Sequence, residues 1–323
     1  MYGNQTISAS NLDLKSFDWV EILVKGLLRI FALIPLLILI FILGKIVQGG
    51  VGTISWEFLT EEPVHGMTAG GIFPCIFGTL AITILMIVMA LPLGVGAAIY
   101  LVEYAKDGLV VRMIRAAVNN LAGVPSIVFG LFGLGFFILF VGRNLDQVLQ
   151  TGLLFGQPCL LWAAATLAVL VLPVIIVSTE EALNAVPQSH RAGSLAMGAT
   201  KWQTIWHVVL PQARGGILTG AILSISRGAG ETAPILFTGC AYFLPRLPVT
   251  ELFGFIPMIN PFDQFMELSY HIFIMATQSI DAEKTLPIQW ATTLVLIALT
   301  FLLNLMAILF RIHFRKKLGQ VII

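Results

Sequence analysis

Charge is what this sequence has least of. Asp, Glu, Lys and Arg make up 11% of its 323 residues, hydrophobic residues make up 58%, and mean hydropathy is +0.94. A water-soluble chain of that length needs far more charge to cover its surface. The formal net charge is only +1. No basic patch stands outside the termini and short loops, so no nucleic-acid partner is expected. The cysteines are Cys75, Cys159 and Cys240, an odd number, each beside an apolar run. They make neither a disulfide framework nor a metal site. The five histidines, His65, His190, His207, His271 and His313, are scattered and read as polar loop or interface residues. There is no His-Glu-x-x-His, and Gly44-Lys45 is followed by Ile46 without the upstream glycines of a phosphate-binding loop. No catalytic or metal site, and no cofactor, is expected. If the protein moves something with ATP, the ATPase is another chain.

What the sequence has is long apolar runs. A span of hydrocarbon needs roughly twenty residues. Runs of that order cover about Leu27–Val47, Gly71–Val102, Val118–Val141, Leu160–Ala185, Ile217–Ala241 and Ile288–Phe310. The first follows a polar stretch, carries Arg29 and Pro35 and lacks a cleavage site, so it reads as a retained helix and not a signal peptide. The expectation is an all-α polytopic membrane protein with six transmembrane helices in a single permease domain over residues 1–323. Residues 261–278 are apolar but too short to span, and Glu267 and His271 interrupt them. They read as an outer-face or re-entrant helix.

The basic residues fix an orientation. Lys15, Lys25 and Arg29 flank the first run on one side; Lys106, Arg112 and Arg115, then Arg191, Lys201 and Arg214, and finally Arg311, Arg315, Lys316 and Lys317 fall in alternate connections. The opposite loops hold only Arg143, Arg246 and Lys284, with Glu57, Glu61 and Glu62 in the first. Both termini are expected in the cytoplasm and the chain in the inner (plasma) membrane, among lipid.

The connection between the fourth and fifth runs, about residues 187–211, is patterned as helices. Pro187 disfavours α geometry at Val186 and suits the first turn of a new helix. Ala192, Leu195 and Ala196 share a small-residue face, and Gly198 is placed to end it. Thr200-Lys201-Trp202-Gln203 reads as a capping box. Trp202, Ile205, Trp206 and Val209 form a second stripe, and Leu210-Pro211 leads into the next span.

Arg227 and Glu231 are the only ionisable pair well inside an expected span. Arg227 lies thirteen residues after Arg214, about 20 Å along a helix, against about 30 Å of hydrocarbon. A charge there costs at least ~2.5–3.5 kcal/mol, so such residues usually face protein or water and often mark a pathway. The i, i+4 spacing puts both on one helical face, and guanidinium suits phosphate and carboxylate oxygens. A self-neutralising structural pair is the other reading. Gly216-x-x-x-Gly220 reads as a close-packing motif.

Gly198, Val208, Leu210 and Pro211 have the spacing of the coupling loop of ABC-importer permeases, which this connection resembles. That family opens the loop with Glu-Ala-Ala; this chain has Ala192-Gly193-Ser194 and no carboxylate there. Gly70–Thr79, Ala97–Tyr104, Gly123–Gly133 and Arg227–Pro234 are similar to segments of phosphate-importer permeases, so the likeness covers about residues 70–234. The chain resembles permeases of the PstA type, with the PstC type the near alternative. The resemblance implies a type I ABC importer permease fold, a pore shared with a PstC-like second permease subunit, two cytoplasmic ATPase subunits that use the ATP, and an extracytoplasmic phosphate-binding protein. It implies ATPase docking at Ala192, Leu195, Ala196, Gly198 and Ala199, and a phosphate path past Arg227 and Glu231. A self-sufficient anion transporter or channel, or an importer of sulfate, molybdate or phosphonate, remains open.

Overall fold

The computed structural model describes residues 19–106, 108–252, 256–279 and 281–319. Lys15 lies outside them. Among the described residues six helical stretches are long and apolar enough to cross a membrane: Glu21–Thr53, Phe73–Tyr104, Ser126–Leu149, Leu160–Asn184, Lys201–Gly228 and Ala282–Ile312. Cα packing divides the chain into one unit ending at Gln48 and a second beginning at Gly49. The first unit holds most of α1 (Trp19–Gly50), an all-round apolar helix with Pro35 inside it.

The second unit opens with α2 (Trp56–Thr60), capped by Ser55, and a two-residue ribbon of β1 (Pro63–Val64) and β2 (Ala69–Gly70). Then come α3 (Phe73–Ile99), which continues as a π-turn over Tyr100–Tyr104, and the short amphipathic α4 (Leu109–Leu121). The third span is α5 (Ser126–Phe132), a π-helical stretch Gly133–Gly142, and α6 (Arg143–Leu149). It therefore starts later than the apolar run beginning at Val118. Gly123 and Pro125 break the chain there, and α4 is a separate helix.

Helix α7 (Leu160–Asn184) is the axis of the unit, with 72% of its most apolar window buried. Gly94 of α3 lies against Ile175, and Gly216 and Gly220 lie against Ala182 and Ser178. Small residues let backbones approach where lipid gives no hydrophobic drive to pair helices. The connection between the fourth and fifth spans comprises α8 (Gln188–Ala196), α9 (Lys201–Thr204) and a π-turn Ile205–Val209 that runs straight into α10 (Leu210–Gly228). Leu210-Pro211 thus makes no corner; Pro211 lies inside a helical stretch continuous from Lys201 to Gly228, directly after the π-turn.

The fifth span ends at Gly228, not near Ala241. Residues 229–241 leave the helix and lie against α5 and α7: Gly130 meets Ala233 and Pro234, and the Cys159 amide donates to Thr238 O at 3.0 Å. Irregular backbone at membrane depth is tolerated when protein covers it. A hairpin of β3 (Val249–Leu252) and β4 (Ile256–Ile259) follows. The amides of Leu160 and Leu161, at the start of α7, then donate to Asp263 O and Pro261 O at 2.9 and 2.7 Å, supplying acceptors that a helix start lacks. Residues 261–278 contain α11 (Leu268–Gln278), and α12 (Ala282–Gly319) closes the described chain. Glu267 caps α11. Its carboxylate accepts from the Tyr270 amide at 2.8 Å, while Thr79 Oγ1 of α3 accepts from the Leu268 amide at 3.1 Å. Glu267 and His271 are both buried, so His271 is a core residue and not a surface one.

Candidate coupling and translocation sites

Pro187 is the N-cap of α8, with φ −58° and ψ 139°, and the helix begins one residue later at Gln188. Gly198 stops it in left-handed geometry at φ +84°, a conformation that penalises any side chain. The capping box at the head of α9 is complete: the Gln203 amide donates to Thr200 Oγ1 at 3.2 Å, and the Thr200 amide to Gln203 Oε1 at 2.8 Å. Ala192, Leu195, Ala196 and Gly198 are exposed, Ala199 is half-buried, and Met197 beside them is 89% exposed. No neighbouring atom would meet a Cβ at Gly193 or Gly198. The expected docking residues therefore form one projecting knob. The second stripe splits: Ile205 and Val209 are buried, while Trp202 and Trp206 stack on each other at 5.6 Å and stay exposed.

The knob is fastened on its inner side by contacts the sequence did not reveal. Arg191 Nε and Nη2 donate to Glu103 Oε1 at 3.1 and 3.0 Å. Its remaining donors reach the Val186 and Leu183 carbonyls at the end of α7. The guanidinium fork suits this: one cation reaches a carboxylate and two carbonyls at the end of α7. Lys201 Nζ lies 5.0 Å from the Tyr104 ring centroid, within cation–π range. Ser194 Oγ meets Thr204 Oγ1 at 2.9 Å, and His190 Nδ1 meets Gln212 Oε1 at 2.7 Å. A carboxylate at the end of the second apolar run was the one available signal. Although the Glu of the Glu-Ala-Ala opening is absent, α8 carries a nearly enclosed ion pair, made by Arg191 with Glu103 of the Tyr100–Tyr104 turn. A second pair, Arg115 and Glu180, joins α4 to α7; at 3.5 Å it is an ionic contact longer than a hydrogen bond. It borders a cavity of about 210 Å³ that Asn119 and Asn184 also line.

Arg227 and Glu231 do meet, with Nε 3.5 Å from Oε1 and side chains 33% and 21% exposed. They do not share a helical face. Arg227 is in the last turn of α10, where a cation complements the C-terminal end of the helix dipole, and Glu231 lies beyond the helix. Gly228 packs on Met86 of α3, whereas Gly230 borders open space. Pro234 causes no kink, since the helix has already ended. One residue before Arg227, Ser226 Oγ donates to Asn304 Oδ1 of α12 at 2.6 Å.

Comparison with known proteins gives the class first. The fold is similar to a chain of a bacterial alginate ABC transporter, with TM-score 0.60 at 15% identity over 90% of this chain and 95% of that one. In sequence, the chain is 33% identical over 265 residues to a probable ABC transporter permease protein, YqgI of Bacillus subtilis, covering 81% of this chain and 85% of that protein. It is 36% identical over 237 residues to phosphate transport system permease protein PstA of Mycobacterium leprae, covering 68% and 73%. These are features of a permease subunit of an ABC importer, built into the membrane through several spans. Residues 90–319 match the family described as Binding-protein-dependent transport system inner membrane component, and the chain belongs to that family.

Proposed function

We propose that this chain carries inorganic phosphate inward as one of two permease subunits of an ATP-driven importer. The observation that carries the reading is the 36% identity, over most of the chain, to a permease named for phosphate transport. Arg227 supports it from the chemistry side: a half-buried guanidinium at the end of a span offers charge-assisted hydrogen bonds to an oxyanion. A neighbouring carboxylate lowers anion affinity, which suits passage more than storage.

In this reading a PstC-like permease faces the chain across the pathway, and an extracytoplasmic binding protein delivers phosphate. Two cytoplasmic ATPase subunits supply the energy. One grips α8 through Ala192, Leu195, Ala196, Gly198 and Ala199. The basic residues of alternate connections, Lys106, Arg112 and Arg115 and then Arg191, Lys201 and Arg214, favour a cytoplasmic position for α8 and both termini. Closure of the ATPase pair pulls on the knob, tilts α7 and α10, and changes which side the pathway opens to.

The test is ATP hydrolysis by the complex of both permeases and the ATPase in proteoliposomes, with its binding protein and a single anion added. Stimulation by phosphate and not by sulfate or molybdate is expected. Stimulation by another oxyanion alone overturns the substrate. Phosphate transport by the chain without any ATPase overturns the importer reading in favour of a secondary transporter or channel.

A further inference from the structure

We infer that Glu103 and Arg191 make α3 a third arm of the coupling element, so that force applied to α8 moves α3 together with α7 and α10. The π-turn at Tyr100–Tyr104 widens the end of α3, and its next amide, Ala105 N, still closes back on Tyr100 O at 2.8 Å. Glu103 and Tyr104 project from that turn toward both halves of the coupling region: Glu103 to Arg191 of α8, Tyr104 to Lys201 of α9. The ion pair is nearly enclosed, with side chains 10% and 11% exposed. Separating the pair would leave two nearly enclosed charges without a partner, which opposes opening of this joint. Arg191 also holds the Leu183 and Val186 carbonyls, so a single guanidinium ties the ends of α3 and α7 to α8. Directly inside it, Ala98 and Leu101 of the α3 arm pack with Leu183, Val186, Val209 and Ala213 in one buried cluster. Outside this cluster a cavity of about 370 Å³ lies between Glu103 and the knob residues Ala192 and Leu195, and the ion pair bridges it. Glu103 and Arg191 are positioning residues, transmitting displacement without touching the transported ion.

The inference rests on the reading that α8 docks a separate ATPase, and the experiment separates the two. Spin labels are placed on exposed Lys106→Cys, after the α3 turn, and Ser189→Cys, on α8, with alanine at Cys75, Cys159 and Cys240. The assembled complex is measured without nucleotide and with ATP trapped. With Glu103 and Arg191 intact, one unchanged inter-label distance is expected in both states; a shift between states overturns the inference, whatever the variants do. In Glu103→Gln the distance is expected to broaden with ATP, and phosphate taken up per ATP hydrolysed to fall by about five- to tenfold, while the ATPase still co-purifies. Uptake per ATP at the unsubstituted value in Glu103→Gln overturns it as well. If no ATPase co-purifies with the chain carrying both residues, the docking reading itself fails, and the inference goes with it.

Discussion

Ser178 of α7 stands where Gly220 of α10 would carry a side chain. A Cβ at Gly220 would run into the serine hydroxyl and come within 2.9 Å of its Cβ. The crossing is set by what is missing from one helix. Gly220→Ala is expected to destabilise the detergent-solubilised protein by about 1–3 kcal/mol, the range for forcing atoms into a packed contact. Adding Ser178→Gly removes the obstructing atoms and should restore most of the loss. Thermal unfolding of the two variants reads this directly, and an unaffected Gly220→Ala would mean that the helices are not in contact there.

Gly198 is held in left-handed geometry at φ +84°, with open space around it. Gly198→Ala therefore strains the turn by about 1–2 kcal/mol without any clash, and Gly198→Trp adds bulk on the side proposed to meet the ATPase. Both should insert normally. Gly198→Trp should hydrolyse ATP with little or no uptake, and Gly198→Ala should fall between it and the unsubstituted chain. Normal uptake by Gly198→Trp would remove α8 as the docking element.

Orientation is open to chemical labelling. Met197 tips the knob and is 89% exposed, and Thr60 at the end of α2 is exposed in the opposite connection. A single cysteine at Met197 should react with an impermeant maleimide only from the cytoplasmic side, and one at Thr60 only from outside. Labelling of both from one side would contradict an odd number of spans between α2 and α8.

The spans were legible because apolar length is a local property: Leu160–Asn184 nearly matches the run read from sequence. The end of α10 was not. Pro234, Ile235, Leu236 and Phe237 keep the run apolar after Gly228, yet the backbone there is covered by α5 and α7 and has no need of a helix. Gly198 and the Thr200–Gln203 box were readable because cap chemistry lies within a few residues of the helix end. Arg191 and Glu103 are 88 residues apart, and only the packing of α3 against α7 makes them neighbours. Arg227 and Glu231 came together as the spacing implied, through a turn instead of a helix.

Buried ionisable groups give α11 a pH dependence of worked sign. His271 is enclosed, and its Nδ1 has no hydrogen-bond partner among the described residues. Burial lowers its pKa from 6.5 to about 4. Between those values the unfolded chain binds more protons than the folded one, so this group's contribution is present above about pH 6.5 and is lost as pH falls toward about 4. Glu267, one turn earlier, is pushed above the usual carboxylate range by burial and contributes the opposite slope. Burial also raises the Tyr270 phenol, further from this range. On acidification from about pH 7 to about pH 5, His271→Phe should lose less thermal stability than the unsubstituted protein. Parallel melting temperatures across that range would show that the imidazole stays accessible to protons in the folded state.

Arg227 and Glu231 separate a transport role from a structural one by how their variants fail. If Arg227 hands phosphate along the path, Arg227→Gln keeps hydrogen-bonding capacity but loses the charge. Assembly and binding-protein affinity should then persist while uptake falls steeply. The loss expected of a charge-assisted contact, about 1.5–3 kcal/mol, corresponds to roughly ten- to a hundredfold in uptake rate. Glu231→Gln removes the competing anion 3.5 Å away. Phosphate should then dwell longer at Arg227, and release should slow more than capture. A structural pair predicts something else. Each single change leaves one charge without its partner, so the amount of assembled complex falls, and exchanging the two residues restores both assembly and uptake. The helix end tilts this comparison, because the exchange puts a carboxylate in the last turn of α10, at the negative end of its dipole. Assembly recovered in spite of that, together with uptake, would make the pair structural. Uptake and detergent-stable assembly measured on Arg227→Gln, Glu231→Gln and the exchanged double variant decide between them, and unimpaired uptake by Arg227→Gln alone would take the pair out of the pathway.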